Sequence, residues 1–197
     1  EESEALTILD VLRRGGVKAE AVGVESRIVT GHANITVTAD RTLEEIVELP
    51  DLVVLPGGYR AVDAYRNSGA VLRLLGAAGK SGRLIGALCA APLALAETGL
   101  LENRRFTVYP TVRNQIHTGE YAPEPVVRDG PVITGEGPAL VYAFSYALLD
   151  ALGIDSTPVR NRMLFRSAFG NPAVPLPDVL PAVVPEARSK KIARSEE

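Results

Sequence analysis

The amino-acid sequence predicts an α/β fold in which a mostly parallel sheet is covered by helices on both faces. Short apolar segments alternate with segments of helical periodicity along most of the chain, which is typical of a layered α/β sheet. Two of the apolar segments, 51–55 and 83–88, end abruptly, as buried parallel strands do. A chain of 197 residues is long enough to give such a domain a complete hydrophobic core.

The first fifty residues are predicted to hold a helix, a strand, a hairpin and a second, short helix. Apolar residues at helical spacing over 6–12 indicate the first helix. A strand follows at 19–24, and weak alternation over 28–37 favours a hairpin or a pair of edge strands. A capping box that starts at Thr42 predicts the short helix over 42–47.

The middle of the chain is predicted to alternate strands and helices. Segment 51–55 is followed by Pro56-Gly57-Gly58, which indicates a central parallel strand and then a tight turn. Segment 83–97 predicts a strand, a sharp turn and a helix. The other predicted elements are a helix at 70–78, a strand at 105–108, a helical turn at 111–116, a hairpin turning at Asp129-Gly130 and an apolar helix at 139–152.

The C-terminal segment differs in composition from the rest of the chain. One more helix is predicted at 159–169, and the five prolines between 171 and 185 then exclude regular helix or central strand. A mixed-charge stretch at the end predicts disorder. We therefore predict one domain over 1–170 and a proline-rich, charged tail over 171–197.

Charge and cysteine content exclude several classes of protein. A net charge of −3 gives no sign of binding to nucleic acid or to a membrane surface, and no apolar run approaches the roughly 18 residues of a membrane span. The single cysteine excludes an internal disulfide and suits the cytoplasm, where we expect the protein. One cysteine and two distant histidines form no metal-ligand pattern, so no metal is expected.

That single cysteine, Cys89, lies where the strand is predicted to turn into a helix. Free cysteines are often buried and inert, which is the alternative interpretation. Gly86 before the turn, with Ala90, Ala91 and Pro92 after it, allows the tight backbone of a nucleophile elbow. A helix N-terminus beside the thiol favours a thiolate, so we expect a nucleophilic Cys89 with a lowered pKa. The N–H of Ala90 is expected to point toward a bound oxyanion.

Two other features have both a functional and a plainer interpretation. Gly57 and Gly58 either form an ordinary turn or supply N–H groups for the other half of an oxyanion hole. The carboxylates of Glu1, Glu2 and Glu4 either are solvated and favour the helix dipole, or include one that reaches the thiol.

A Cys–His dyad would need one of the two histidines beside the thiol. His32 falls in the predicted hairpin, and His117 lies among polar residues after a helical turn. We therefore expect both histidines to lie away from Cys89.

Three motifs together resemble the ThiJ/PfpI superfamily and, within it, the Parkinson-associated, DJ-one-like branch. They are Asp-Leu-Val-Val-Leu-Pro-Gly-Gly at 51–58, Ile-Gly-Ala-Leu-Cys-Ala-Ala-Pro at 85–92 and Thr-Gly-Glu-Gly-Pro at 134–138. The resemblance extends over about residues 1–165 and implies a flavodoxin-like three-layer sandwich that forms homodimers. The family begins with a core strand that this sequence lacks, so we expect a fragment or a mature product paired with an N-terminal piece.

The resemblance also implies roles for individual residues. It pairs the reactive Cys89 with a protonated glutamate at the start of the first helix, here Glu4. Gly58 and Ala90 would supply backbone donors near the sulfur. The residues implied to line the pocket are Tyr109, Pro110, Gly137 and Pro138.

Departures from the family pattern argue against some of the functions that occur in the family. Tyr109 stands where some members have a histidine, which weakens a Cys–His mechanism. Ala90 replaces the histidine that directly follows the cysteine in the protease-like branch, which argues against a peptidase and an amidotransferase. Glu136 and Ala139 stand where arginine and glycine are common, which predicts a changed charge at the pocket entrance.

The resemblance implies a cysteine-dependent enzyme of the glyoxalase III or protein deglycase type. Its substrates would be small dicarbonyls such as methylglyoxal, or their glycation adducts, and no cofactor would be needed. The alternative is a redox-sensing stress-response chaperone whose Cys89 is oxidised to a sulfinate. Both hypotheses predict a lowered thiol pKa.

Overall fold

The computed structural model of the protein describes residues 1–169. Its helices are α1 (Glu2–Arg14), α2 (Tyr59–Asn67), α3 (Gly69–Lys80), α4 (Pro92–Ala96), α5 (Val141–Ala151), α6 (Thr157–Arg162) and α7 (Phe165–Phe169). Its strands are β1 (Val22–Gly23), β2 (Ile28–Thr30), β3 (Thr36–Thr38), β4 (Arg41–Thr42), β5 (Leu52–Leu55), β6 (Leu84–Leu88), β7 (Arg105–Phe106), β8 (Glu120–Tyr121), β9 (Val126–Asp129) and β10 (Val132–Gly135). The tail predicted at 171–197 lies outside the described residues.

A four-stranded sheet in the order β5-β6-β10-β9 forms the centre of the fold. Strands β5, β6 and β10 are parallel, and β9 is antiparallel to β10 through the turn at Gly130. Leu55 pairs with Ala87, and Gly135 pairs with Leu88. The carboxyl ends of the three parallel strands therefore meet at one edge of the sheet, where α/β proteins usually bind ligands.

Helices complete the predicted three-layer α/β sandwich. Helix α5, backed by α1, packs on β6, β9 and β10, and α3 packs on β6. Close packing against α5 needs a glycine at position 86, because a Cβ there would lie 2.9 Å from Leu148 and 3.1 Å from Phe144. Both of these side chains are fully buried, which places the core between α5 and the sheet.

Several predicted elements are confirmed. Helix α1 covers the predicted span 6–12, the hairpin over 28–37 forms as β2 and β3, and Asp129-Gly130 joins β9 to β10. The capping box also forms, because the Glu45 carboxylate accepts from the Thr42 N–H at 2.7 Å.

Other predictions about elements are wrong in detail. Strand β5 has β6 as its only strand partner among residues 1–169, so it is an edge strand of this sheet rather than a central one. The helix predicted over 159–169 is divided into α6 and α7 by Leu164, whose φ of +55° cannot continue a right-handed helix. The strand predicted over 19–24 is only Val22–Gly23, which pairs with β4 in a separate two-stranded sheet.

Residues Glu1–Val159 form one compact unit, and a second unit begins at Arg160. Among residues 1–169, no helix is long and apolar enough to cross a membrane. The cytoplasmic location stays a prediction.

Candidate active site

Cys89 lies on a strained turn directly after β6. Its φ angle is +61°, in the left-handed region that residues other than glycine rarely adopt. The backbone is held on both sides: the Cys89 N–H donates to the Gly135 carbonyl oxygen at 2.9 Å, and the Cys89 carbonyl oxygen accepts from the Tyr109 N–H at 2.9 Å. The sharp elbow predicted at this position is therefore present, and its neighbours maintain the strain.

The turn after β5 brings two glycines against Cys89. Because Leu55 pairs with Ala87, Gly57 lies beside Cys89, and a Cβ at position 57 would lie 2.6 Å from the Cys89 Cβ. Gly58 has a φ of +94°, which favours glycine, and its N–H acts to lower the pKa of Cys89. Both positions therefore require the residue that the sequence provides.

Helix α1 carries Glu4 into the same site. The Glu4 side chain is fully buried, and its Oε2 accepts from the Gly57 N–H at 2.6 Å. The Cys89 side chain lies beside this carboxyl group, because a Cβ at position 57 would lie 2.6 Å from the Cys89 Cβ and 2.9 Å from Glu4 Oε2. Oε1 has no hydrogen-bond partner within residues 1–169, so it is available to carry a proton.

Burial shifts the pKa of both groups in the same direction. It raises the pKa of Glu4 above its ordinary 4.5, and hydrogen bonds from Gly57 and Cys89 offset only part of the rise. Burial and then the negative charge of Glu4 raise the pKa of Cys89 to about 12. The N–H groups of Ala90 and Gly58 act in the opposite direction but do not outweigh them.

The lowered thiol pKa expected from the sequence is therefore wrong. Cys89 is only 9% exposed and experiences the negative charge of Glu4, so the loss of water and the nearby charge both disfavour a thiolate. Helix α4 has only five residues, which leaves little helix dipole to compensate.

Glu4 and Cys89 consequently behave as a pair that competes for one proton. An ionised Glu4 holds Cys89 in its thiol form, and a thiolate forms when that proton passes to Glu4. A carboxylate with a raised pKa beside a thiol can act as a general base, because its proton affinity is closer to neutral pH. The arrangement can thus deprotonate Cys89 at the moment of attack.

The other pocket residues lie at the same edge of the sheet. Tyr109 and Gly137 face each other, because a Cβ at position 137 would lie 3.4 Å from the Tyr109 ring. Pro110 and Pro138 are exposed, and each begins a short 3₁₀ helix. The structure thus brings the Tyr109 backbone to the Cys89 carbonyl oxygen, while the contribution of Tyr109, Pro110, Gly137 and Pro138 to a pocket stays a prediction.

Both histidines lie elsewhere. His32 is exposed at the tip of the β2–β3 hairpin. His117 is exposed and lines an open cavity of about 650 Å³, together with Arg104 and Thr118, and Cys89 is not part of that lining. Within residues 1–169, there is no group of three or more His, Cys, Asp or Glu side chains that could hold a metal ion.

Sequence reasoning missed the tyrosines of α2. The Tyr59 hydroxyl lies 2.7 Å from the Thr111 hydroxyl, 52 residues along the chain. Burial raises the pKa of Tyr65, and the charge of Glu4 adds to this effect, so the Tyr65 hydroxyl lies within the electrostatic range of the site. In the sequence, only the position of Tyr59 directly after Gly58 indicates that it lies near the site. No sequence pattern predicts its hydrogen bond with Thr111.

The model of the DJ-1/PfpI family matches residues 1–151. The chain belongs to the DJ-1/PfpI family. Protein dj-1beta of Drosophila melanogaster is 34% identical over 156 residues, which cover 77% of this chain and 83% of that protein. A Caenorhabditis elegans protein named glutathione-independent glyoxalase DJR-1.2 is 30% identical over 155 residues, or 77% of this chain and 82% of that protein.

Solved structures of DJ-1/PfpI proteins have the same fold. The crystal structure of Drosophila melanogaster DJ-1beta aligns with a TM-score of 0.81 and 32% identity, covering 83% of this chain and 91% of that one. A cysteine-to-alanine mutant of a DJ-1 superfamily protein from Salmonella typhimurium aligns with a TM-score of 0.79 and 33% identity, covering 83% and 92%. The resemblance and the flavodoxin-like fold inferred from three motifs are therefore confirmed.

Proposed function

We propose that this DJ-1/PfpI chain is a cofactor-independent enzyme of the glyoxalase III or deglycase type. Its substrates are small dicarbonyls such as methylglyoxal, or their glycation adducts. The observation that carries the proposal is the contact between Cys89, on its strained elbow, and the buried carboxyl group of Glu4. The glyoxalase name of the C. elegans relative supports the same reaction class.

The first step is addition of the thiol to an aldehyde. Glu4 accepts the thiol proton while the Cys89 sulfur forms a bond to the aldehyde carbon, and the C=O π electrons move to oxygen. That oxygen then takes the proton from Glu4, which gives a neutral hemithioacetal. The N–H groups of Gly58 and Ala90, which act to lower the pKa of Cys89, stabilise the negative charge that develops beside them.

The second step moves a proton between two carbons. Glu4 removes the proton from the carbon that bears sulfur and hydroxyl, and the electrons move to the ketone oxygen to give an enediolate. The hydroxyl proton passes to that oxygen, and Glu4 returns the first proton to the neighbouring carbon. The resulting thioester is hydrolysed by water, which regenerates the thiol. One methylglyoxal and one water give one lactate, so the reaction needs no external oxidant or reductant. For a glycation adduct, the same addition would precede release of the amine.

Lactate formation from methylglyoxal tests the proposal. We expect Cys89→Ala to lower kcat/KM by about 100-fold or more, because the nucleophile is removed. Thr36→Val is the control, since it alters an exposed hydroxyl pair in the hairpin and should leave turnover unchanged. Lactate production by Cys89→Ala at the rate of the unmodified chain would remove Cys89 from the mechanism.

The raised pKa of Cys89 disfavours the resting thiolate that was expected both for the enzyme and for the redox-sensing alternative. Peroxide oxidises the thiolate form. Mass spectrometry after mild peroxide separates the two functions. A stable gain of about 32 Da on Cys89, equal to the two oxygens of a sulfinate, together with no lactate formation would favour the sensor.

We also propose that the chain forms a homodimer. Exposed apolar side chains are concentrated on α1 and the β2–β3 hairpin, namely Leu6 (42% exposed), Ile28 (66%), Val29 (44%) and Ile35 (53%). Glu2 joins these two elements, because its carboxylate accepts from the Ile35 N–H at 3.2 Å. Such a patch favours association. Analytical ultracentrifugation should show a dimer that Ile28→Asp shifts toward monomer.

A further inference from the structure

Two segments that contact Cys89 continue into elements that are joined to each other by a side-chain hydrogen bond. The Tyr59 and Thr111 hydroxyls are 2.7 Å apart, and we call this hydrogen bond the Tyr59–Thr111 bridge. Tyr59 follows Gly58, whose N–H acts to lower the pKa of Cys89. Thr111 comes two residues after Tyr109, whose N–H holds the Cys89 carbonyl oxygen. The bridge therefore joins the first residue of α2 to the 3₁₀ helix that begins at Pro110, and the chain just before each of these two elements contacts Cys89.

The bridge lies at the surface, and the thiol lies deeper. Tyr59 is 52% exposed and Thr111 is also exposed, whereas Cys89 is only 9% exposed. The two joined hydroxyls thus lie on the solvent side of the two segments that contact Cys89.

We propose that the Tyr59–Thr111 bridge is a specificity-determining contact that limits the Cys89 site to small, unbranched compounds. The size limit follows from the position of the bridge on the solvent side of the two segments. That the compounds it admits are two- or three-carbon carbonyls rests on the proposed function. Breaking the bridge should let the two segments separate and admit branched or aromatic reagents, while leaving small reagents almost unaffected.

Alkylation of Cys89 tests this size limit without requiring turnover, because the chain has one cysteine. The measured quantity is the ratio of the rate with a bulky aromatic maleimide to the rate with iodoacetamide, at one fixed alkaline pH. Tyr59→Phe and Thr111→Val each remove the hydrogen bond and nearly preserve side-chain shape. We expect each to raise the ratio about fivefold, the order expected for loss of one neutral hydrogen bond, and the double variant to add little more.

Thr36→Val is the matched control, because Thr30 and Thr36 form another exposed hydroxyl pair, 3.0 Å apart, in the hairpin. The control should leave the ratio unchanged. An unchanged ratio in both bridge variants, or an equal change in the control, would overturn the proposal. The same variants assayed for lactate separate the two claims: a changed ratio with no turnover in any variant refutes the proposed function and leaves the size limit standing.

Discussion

Glu2 and Glu4 are both buried in the first turn of α1, yet their pKa values shift in opposite directions. Glu2 is 6% exposed, and its Oε1 accepts from the N–H groups of Ala33 at 2.8 Å and Ile35 at 3.2 Å. Burial acts to raise the pKa of Glu2, but backbone donors outweigh it and the pKa is lowered. Glu4 accepts one backbone N–H, from Gly57, and its pKa is raised.

The difference shows that the number of backbone donors, together with the desolvation of each carboxyl group, separates Glu2 from Glu4. Glu2 is held as an anion by the hairpin, and in return it fixes the hairpin to α1. Glu4 has too few donors to be stable as an anion, so it retains an affinity for the proton of its neighbour Cys89. One turn of helix therefore contains a structural carboxylate and a reactive one.

The largest effect that we expect is a loss of catalytic activity when Glu4, but not Glu2, is changed. Glu4→Gln removes the proposed base and should lower kcat/KM for methylglyoxal by about 100-fold. Glu2→Gln changes charge in the same turn of α1 but should stay within about twofold of the unmodified chain, because Glu2 is directed to the hairpin. Comparable losses in both variants would mean that Glu4 acts through the fold rather than through the thiol.

Two glycines, Gly57 beside Glu4 and Gly31 beside Glu2, allow a second comparison of the surroundings of the two carboxyl groups. A Cβ at position 57 would lie 2.6 Å from the Cys89 Cβ and 2.9 Å from the Leu88 carbonyl oxygen, and neither can move easily. Gly57→Ala should therefore cost about 1–3 kcal/mol of folding free energy and most of the activity.

The variant to compare with it is Gly31→Ala, because a Cβ at position 31 would lie 2.3 Å from the Glu2 carboxyl carbon. The flexible Glu2 side chain can swing away, so we expect a loosened hairpin and near-normal activity. Urea unfolding and lactate assays on both variants give the comparison. Loss of activity in Gly31→Ala alone would contradict it.

The smallest expected effect is on the pH dependence of stability. The folded pKa of Glu4 is raised, so its contribution favours folding below its ordinary pKa of 4.5 and is lost as the pH rises through the folded value. Glu4→Gln should therefore melt about 2–4 °C above the unmodified chain near neutral pH, with the gain shrinking toward pH 4.

Glu2→Gln should show the opposite sign. The folded pKa of Glu2 is lowered, so its contribution is present above 4.5 and is lost as the pH falls through the folded value. This variant should melt below the unmodified chain near neutral pH, and the two should converge in acid. Calorimetry across pH measures both, and equal signs for the two variants would contradict the argument from backbone donors and desolvation.

Local patterns were sufficient to predict the elbow and the neighbouring turn. Small residues around Cys89 and the glycine pair after β5 indicate tight turns by themselves, and parallel strand ends meet at one edge. The assignment of Glu4 depended on family resemblance, because three carboxylates in four residues look alike in the sequence. Their different donors come from segments that lie far away along the chain.

The features that were not predicted depend on tertiary contacts. Helix α2 was missed because its nine residues include three charged side chains and one buried apolar residue, Val62, which leaves only a narrow apolar face. The Tyr59–Thr111 bridge joins residues 52 positions apart. The predicted direction of the Cys89 pKa shift was wrong. The turn indicated a helix N-terminus, which would lower the pKa, whereas burial and the charge of Glu4 raise it.

The most direct test of the shared proton is the pH dependence of Cys89 alkylation by iodoacetamide. For the unmodified chain we predict a rate that keeps rising through alkaline pH toward a midpoint of about 12, and the same profile for Glu2→Gln. Glu4→Gln should react faster at every pH below that midpoint and should titrate lower, because the anion beside the thiol is gone. A thiol that is already fully reactive near neutral pH and becomes slower in Glu4→Gln would contradict the account.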